Sequence, residues 1–118
     1  MADIPPSFRL SVPDDFGVEI DSQGGDAVVS LRGELDVLTA PFLWERLEPA
    51  LAGVTGKLVF DFAELSFIDS MGLGVIVRAQ ARLRADSPER QVIIRHPNAH
   101  AHKVFEITGL DRILDVQP

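Results

Sequence analysis

The apolar residues of this chain change their period several times along its length, and that alternation limits the possible folds more than any other feature. Phe16, Val18 and Ile20 alternate with Gly17, Glu19 and Asp21, the two-residue period of a half-buried strand. "SQGGD" is a turn signal, and Ala27, Val29 and Leu31 in "AVVSLRG" resume the same period, so the two runs predict a hairpin. Leu43, Leu47, Ala50 and Leu51 then recur at helical spacing, with Thr39 as the predicted N-cap and Pro41 tolerable in the first turn. Pro49 lacks an N–H and would crowd the carbonyl of Glu45, so this helix is expected to kink or finish there.

"KLVFDF" predicts a third strand, apolar on both faces until Asp61, as expected for a central strand covered by helices. Leu73, Ile76, Val77, Gln80 and Leu83 form a second helical stripe that ends before "DSPE", and "QVIIR" predicts a fourth strand. Asn98 is a natural N-cap for a last helix carrying Ala101, Val104, Phe105 and Thr108 on one face, with Gly109 as its left-handed stop. "RILDV" predicts a short final strand.

The order is therefore β β α β α β α β: an α/β fold with an opening hairpin, then a largely parallel sheet with helices packed on it. Right-handed crossovers place the loops that follow the strands at one edge. "GELD" (33–36) follows the second strand and "DS" (69 and 70) follows the third, so these two loops are expected to be neighbours in space. Residues 1–14, with Pro5, Pro6 and Pro13 and no sustained period, predict a loose arm ahead of a single domain over 15–118.

Composition narrows the function classes. The 118 residues hold no cysteine, which excludes a disulfide framework and any thiolate metal site. Eleven basic against 18 acidic side chains give a net charge of −7, and no concentrated basic face is evident, so nucleic acid is not an expected partner. "RAQARLRADSPER" intersperses its arginines with acids, the pattern of a solvated helix surface. "MGLGVIV" is the longest apolar or glycine run, far short of the ~20 residues that span a bilayer. "MADIPPSFRL" has neither the basic nor the apolar region of a signal peptide. Direct membrane insertion is not expected, and the predicted location is cytoplasmic.

The stretch "FIDSMGLG" (67–74), between a strand and a helix, carries the candidate chemistry. As a phosphate cradle it lacks the lysine of a Walker loop, and Val77 stands where a dinucleotide fingerprint needs its third glycine. As a nucleophile turn it has Ile68 where the sharp elbow needs glycine. His96, His100 and His102 supply neither a placed base nor, without an acid or thiol beside them, a metal site; they read as exposed histidines around a helix N-terminus. Asp61 and Glu64 read as solvated at a strand end. No catalytic residue, resident cofactor or metal is expected. Ser70 at a helix N-terminus fits a plain N-cap serine, and equally a modifiable one, because an added charge of about −2 there faces N–H donors. Met71 and Leu73, with Gly72 and Gly74 lowering the bulk, suggest a flat contact patch around it.

"GELDVLTA" (33–40), "FDFAELSFIDSMGLGVIV" (60–77) and "VFEITGLDRIL" (104–114), in that order and spacing, resemble the STAS domain family, most of all its stand-alone bacterial anti-sigma factor antagonists. The likeness covers about residues 16–116. It implies a mixed sheet of about four to five strands with helices packed against it. It also implies an antagonist that, unphosphorylated, binds an anti-sigma factor with serine kinase activity and frees the sigma factor. The kinase, with its own ATP and magnesium, modifies the serine after the motif aspartate, and a serine phosphatase reverses the step. By motif position that serine is Ser70 and its aspartate is Asp69, while Asp36 matches an aspartate near the kinase contact surface. The contact set implied by motif and topology together is Glu34, Asp36, Thr39, Asp69, Ser70, Met71, Gly72 and Leu73, with the Thr39 hydroxyl as a weaker second candidate. Many antagonists carry another hydroxyl after the motif serine; here Met71 stands there, which leaves Ser70 alone at the junction. The alternative is a STAS scaffold, or an accessory subunit of a membrane transporter or signalling complex, whose serine is never phosphorylated.

Overall fold

The computed structural model describes residues 13–118; up to residue 12, the arm predicted over 1–14 lies outside the described residues. Strands β1 (Gly17–Gln23) and β2 (Asp26–Leu35) pair antiparallel from Gly17↔Arg32 to Gln23↔Asp26. Gly24 and Gly25, at φ 58° and 92°, supply the two positive-φ positions that a tight two-residue hairpin turn requires. Strands β3 (Leu58–Ile68), β4 (Val92–Arg95) and β5 (Asp115–Val116) each run parallel to the strand before, giving a mixed sheet in the order β1-β2-β3-β4-β5.

Helices α1 (Ala40–Leu51), α2 (Ser70–Asp86) and α3 (Ala99–Thr108) are the crossovers. Each crossover steps one strand in the same direction, so right-handed connections put all three helices on one face. The core agrees: Leu43 and Leu47 of α1, Ile76 and Leu83 of α2 and Phe105 of α3 form one buried cluster with Val29, Phe60 and Ile94. The rings of Phe62 and Phe105 stack at 6.0 Å. The other sheet face carries no helix among the described residues, which corrects the expectation that the third strand is covered on both sides. Val59 is apolar there because it lies in register between Val28 and Ile93, in a row that buries itself across three strands.

Strand β3 is also longer than predicted, 11 residues instead of the six of "KLVFDF". Register shifts against β2 between Ser30 and Arg32 and between Gly33 and Glu34 change the side-chain phase. Buried Phe62, Leu65 and Ile68 are therefore three apart, and the two-residue period vanishes from the sequence where the strand continues. The extension places Asp61 inside the strand. It is not the freely solvated end group predicted: it accepts from Arg95 at 3.0 and 3.3 Å, lies 3.2 Å from His96 Nδ1, and accepts from Ala63 N–H at 3.0 Å. Burial works to raise its pKa, but the Ala63 N–H, the Arg95 and His96 hydrogen bonds and the Arg95 charge together hold it below the ordinary value. A carboxyl with a lowered folded pKa stabilises the fold above its unfolded pKa of about 3.9, and that stability is lost as pH falls through the folded value. Wild type should therefore exceed Asp61→Asn in urea midpoint at neutral pH, with the gap closing below pH ~4. A gap independent of pH would refute the ion-pair account.

Helix α1 continues two residues past Pro49, where it was expected to kink or finish. Pro49 and Glu45 are both exposed, so the carbonyl left without a donor faces solvent, and buried Leu47 and Leu51 hold the last turn. In α2, Val77 is only half-buried while Val75 and Ala79 are buried, because the helix packs against both α1 and the sheet. In α3, Asn98 caps by accepting from Ala101 N–H at 2.8 Å and Gly109 adopts φ 75°, both as predicted, whereas Thr108 is exposed. "RILDV" is mostly not strand: Leu110–Arg112 is a 3-10 turn, and only Asp115–Val116 pairs with β4. No helix among the described residues is long and apolar enough to cross a membrane.

Candidate functional site

The sheet register brings the two motif stretches together. Glu34 pairs with Phe67 and Leu35 with Ile68, and Asp69 N–H donates to Leu35 O at 3.1 Å. The expected adjacency of "GELD" and "DS" is therefore observed, except that Gly33, Glu34 and Leu35 belong to β2 itself and not to the loop after it. This tie holds Asp69 in an extended conformation, and its carboxylate turns back to accept from Met71 N–H at 2.9 Å and Gly72 N–H at 3.2 Å. Asp69, not Ser70, is thus the N-cap of α2. Ser70 is the first helical residue, exposed, with no side-chain hydrogen bond among the described residues. Asp69→Ala should weaken the fold by about 1 kcal/mol, read as a lower urea midpoint, and Asp69→Asn by much less, because both N–H groups need only an acceptor.

The turn from β2 into α1 is closed by a second polar cluster. Asp36 Oδ1 accepts from Leu38 N–H at 3.0 Å and Thr39 N–H at 3.2 Å. The Thr39 hydroxyl donates to Glu34 O at 2.8 Å and accepts from Asp36 N–H at 2.9 Å. Thr39 stands before α1 as predicted, yet its hydroxyl does not cap the helix. It is 1% exposed, so it is a bracing group and not a second modifiable hydroxyl at the surface.

The predicted contact set therefore divides. Glu34, Ser70 and Met71 are exposed, and Asp36 and Asp69 are half-buried. Thr39, Gly72 and Leu73 are buried, not surface groups as expected, each for a local reason. Leu73 points into the core, and Gly72 lies where a Cβ would sit 2.7 Å from Leu35 Cγ and 2.9 Å from Ile68 Cγ1. Close approach of α2 to the ends of β2 and β3 needs this glycine; a flat outer patch does not explain it.

Sequence reasoning singled out Met71 but missed the other exposed apolar side chains of the two motif stretches. Val37, Leu38 and Phe67 are exposed together with Met71. Val37 and Leu38 lie in a loop with no period, and Phe67 lies in the strand extension hidden by the register shifts. It also missed a cleft of about 400 Å³ between α1 and α2, where Pro41, Trp44 and Arg78 face Ser70 and Met71. His100 was read as merely exposed, but it stacks on Phe67 at 5.0 Å and sets Nε2 3.1 Å from Ile68 O. A carbonyl only accepts, so Nε2 carries the proton and is committed to the main chain. Among the described residues, no cluster of three or more His, Asp or Glu side chains is arranged to hold a metal ion.

A family model described as "Mlab, STAS domain" matches residues 18–115. The chain belongs to the STAS domain family. An anti-sigma-B factor antagonist of Listeria monocytogenes is 33% identical to this STAS domain over 103 residues, spanning 86% of this chain and 89% of that protein. A solved anti-sigma factor antagonist from Mycobacterium paratuberculosis superimposes with a TM-score of 0.76 at 28% identity, covering 92% of this chain and 90% of the other. The anti-sigma factor antagonist SpoIIAA, solved in its unphosphorylated form, superimposes with a TM-score of 0.67 at 25% identity, over 87% and 88% of the two chains. The mixed sheet with its N-terminal hairpin is thus the family's fold, as the sequence resemblance implied.

Proposed function

We propose that this STAS domain is an anti-sigma factor antagonist whose affinity is switched at Ser70. Unphosphorylated, it binds an anti-sigma factor that is itself a serine kinase, and the sigma factor is released. The kinase supplies ATP and magnesium and phosphorylates Ser70; a serine phosphatase restores the binding form. The antagonist works in the cytoplasm, as a binding partner and not as a catalyst.

One observation carries this reading. Asp69 meets the capping demand of α2, which leaves the Ser70 hydroxyl exposed and without a hydrogen-bond partner among the described residues. A phosphate added there disturbs no packing and lies at the positive end of α2, beside the Asp69 carboxylate that caps it. Glu34, Asp36 and Asp69 at the same edge make the surface acidic, so the change it reports is one of charge. The names of the relatives support the antagonist role, and the unphosphorylated form specified for SpoIIAA supports a modification switch.

The test is incubation of the chain with the serine kinase anti-sigma factors of its source genome and ATP, read by intact mass. Wild type should gain one phosphoryl group and Ser70→Ala none. Unmodified wild type, or a Ser70→Ala that is modified to the same extent, rejects the switch and leaves the unmodified scaffold as the better description.

A further inference from the structure

Gly74 is an exposed residue near the middle of the first half of α2, a position where glycine weakens a helix relative to alanine. Unlike Gly72, it has no packing reason to be glycine, because a Cβ added there meets nothing within 4 Å. Its φ is not positive either. The missing side chain leaves open the cleft between α1 and α2, whose other walls include Pro41, Trp44, Met71 and Arg78, with Ser70 on its rim.

The polar end of this cleft is cationic. The Arg78 guanidinium lies 4.1 Å from the centroid of the Trp44 ring. Arg82, 6.0 Å from the same ring, is already paired with Glu48 at 3.2 Å, whereas Arg78 has no carboxylate partner among the described residues. In a chain of net charge −7 this is a localised positive spot beside an apolar hollow. Met71, itself exposed and next to Ser70 in the chain, is a wall of the cleft, so the cleft opens beside the serine.

We propose that the cleft receives one bulky apolar side chain of the antagonist's protein partner, with a partner carboxylate beside it meeting Arg78. Gly74 makes room for that side chain at the expense of helix stability, and Trp44 and Arg78 select it. The inference rests on the reading that the partner binds at the Ser70 edge. It adds which chemistry the partner must present there, an apolar anchor next to an acid.

Trp44 is the chain's single tryptophan, so the cleft has its own reporter. The whole chain is titrated with 1-anilinonaphthalene-8-sulfonate, an aromatic anion that copies the apolar anchor and the acid together. Saturable binding with energy transfer from Trp44 is expected. Gly74→Leu should weaken it about tenfold or more, while melting at or above the wild-type temperature. Arg78→Ala should weaken the anionic dye but not the neutral N-phenyl-1-naphthylamine. With the kinase that modifies Ser70, Gly74→Leu should raise KM for the antagonist about tenfold and leave kcat unchanged, as loss of docking requires. Dye affinity unchanged in Gly74→Leu, equal loss of both dyes in Arg78→Ala, or an unchanged KM each overturn the proposal. The dye measurement involves neither kinase nor phosphate, so its failure is separate from a failure of the Ser70 reading.

Discussion

Ser70→Asp is expected to bind the partner kinase about 100-fold more weakly than wild type, or worse, with no loss of thermal stability. Like charges forced together across an interface cost several kcal/mol, and each 1.4 kcal/mol is a factor of ten in affinity. A carboxylate at residue 70 joins Glu34, Asp36 and Asp69 on one side of the interface, opposite the partner acid that meets Arg78, and Asp36 has its Oδ1 occupied by the β2–α1 turn, so it cannot swing away without breaking that turn. Stability should hold for a separate reason. The Ser70 side chain is exposed, and an acid in the first turn of a helix gains about 0.3–1 kcal/mol from the dipole. Ser70→Asn is the control, since it matches Asp in size without the charge. It should bind within a few-fold of wild type by calorimetry or surface plasmon resonance. If Asn weakens binding as much as Asp, bulk at residue 70 and not charge is what the partner rejects, and the electrostatic switch is wrong.

The parts of the fold that were legible in the sequence are those fixed by local chemistry. Gly24-Gly25 can be read as a hairpin turn because few other residues tolerate two consecutive positive φ angles. Asn98 and Gly109 mark the ends of α3 because capping and left-handed stops need particular side chains. The place of Ser70, exposed at the start of α2, was legible through the motif around it. What stayed hidden depends on contacts between distant segments. Asp69 and Ser70 are both good capping residues, and only the bond from Asp69 N–H to Leu35 O, on a neighbouring strand, decides which of them caps. Thr39 looks like a surface hydroxyl until the β2–α1 turn folds over it. The second half of β3 loses its period because its register against β2 shifts twice, and pairing across strands leaves no trace in one strand's sequence. The cleft is a property of two helices at once: Trp44 and Arg78 are 34 residues apart in the chain and meet only because α1 and α2 pack side by side.

Gly72 and Gly74 look alike in the sequence, and substituting them should move stability in opposite directions. Gly72→Val puts a Cβ 2.7 Å from Leu35 Cγ and 2.9 Å from Ile68 Cγ1, two buried side chains at the ends of adjacent strands. Neither is a flexible tip that can step aside, so α2 must lift or the core must shift. Overpacking of this kind costs about 1–3 kcal/mol, and the helix gains back less than about 1 kcal/mol by losing a glycine. A net loss of about 1–2 kcal/mol is expected, a fall in melting temperature on the order of 5–10 °C. The urea midpoint should drop with the slope unchanged, since the unfolded chain is hardly altered. Gly74→Ala, facing open space, should raise the same midpoint by about 0.5–1 kcal/mol in stability. The consequence for the switch follows from Asp69, whose main chain is tied to Leu35 while its carboxylate holds Gly72 N–H. Lifting the first turn of α2 pulls on both bonds and moves Ser70 away from the β2 edge. Gly72→Val should therefore be phosphorylated more slowly than wild type even at temperatures where it is fully folded. Equal rates in the two folded proteins would mean that the kinase reads the serine without the surface that Gly72 sets in place.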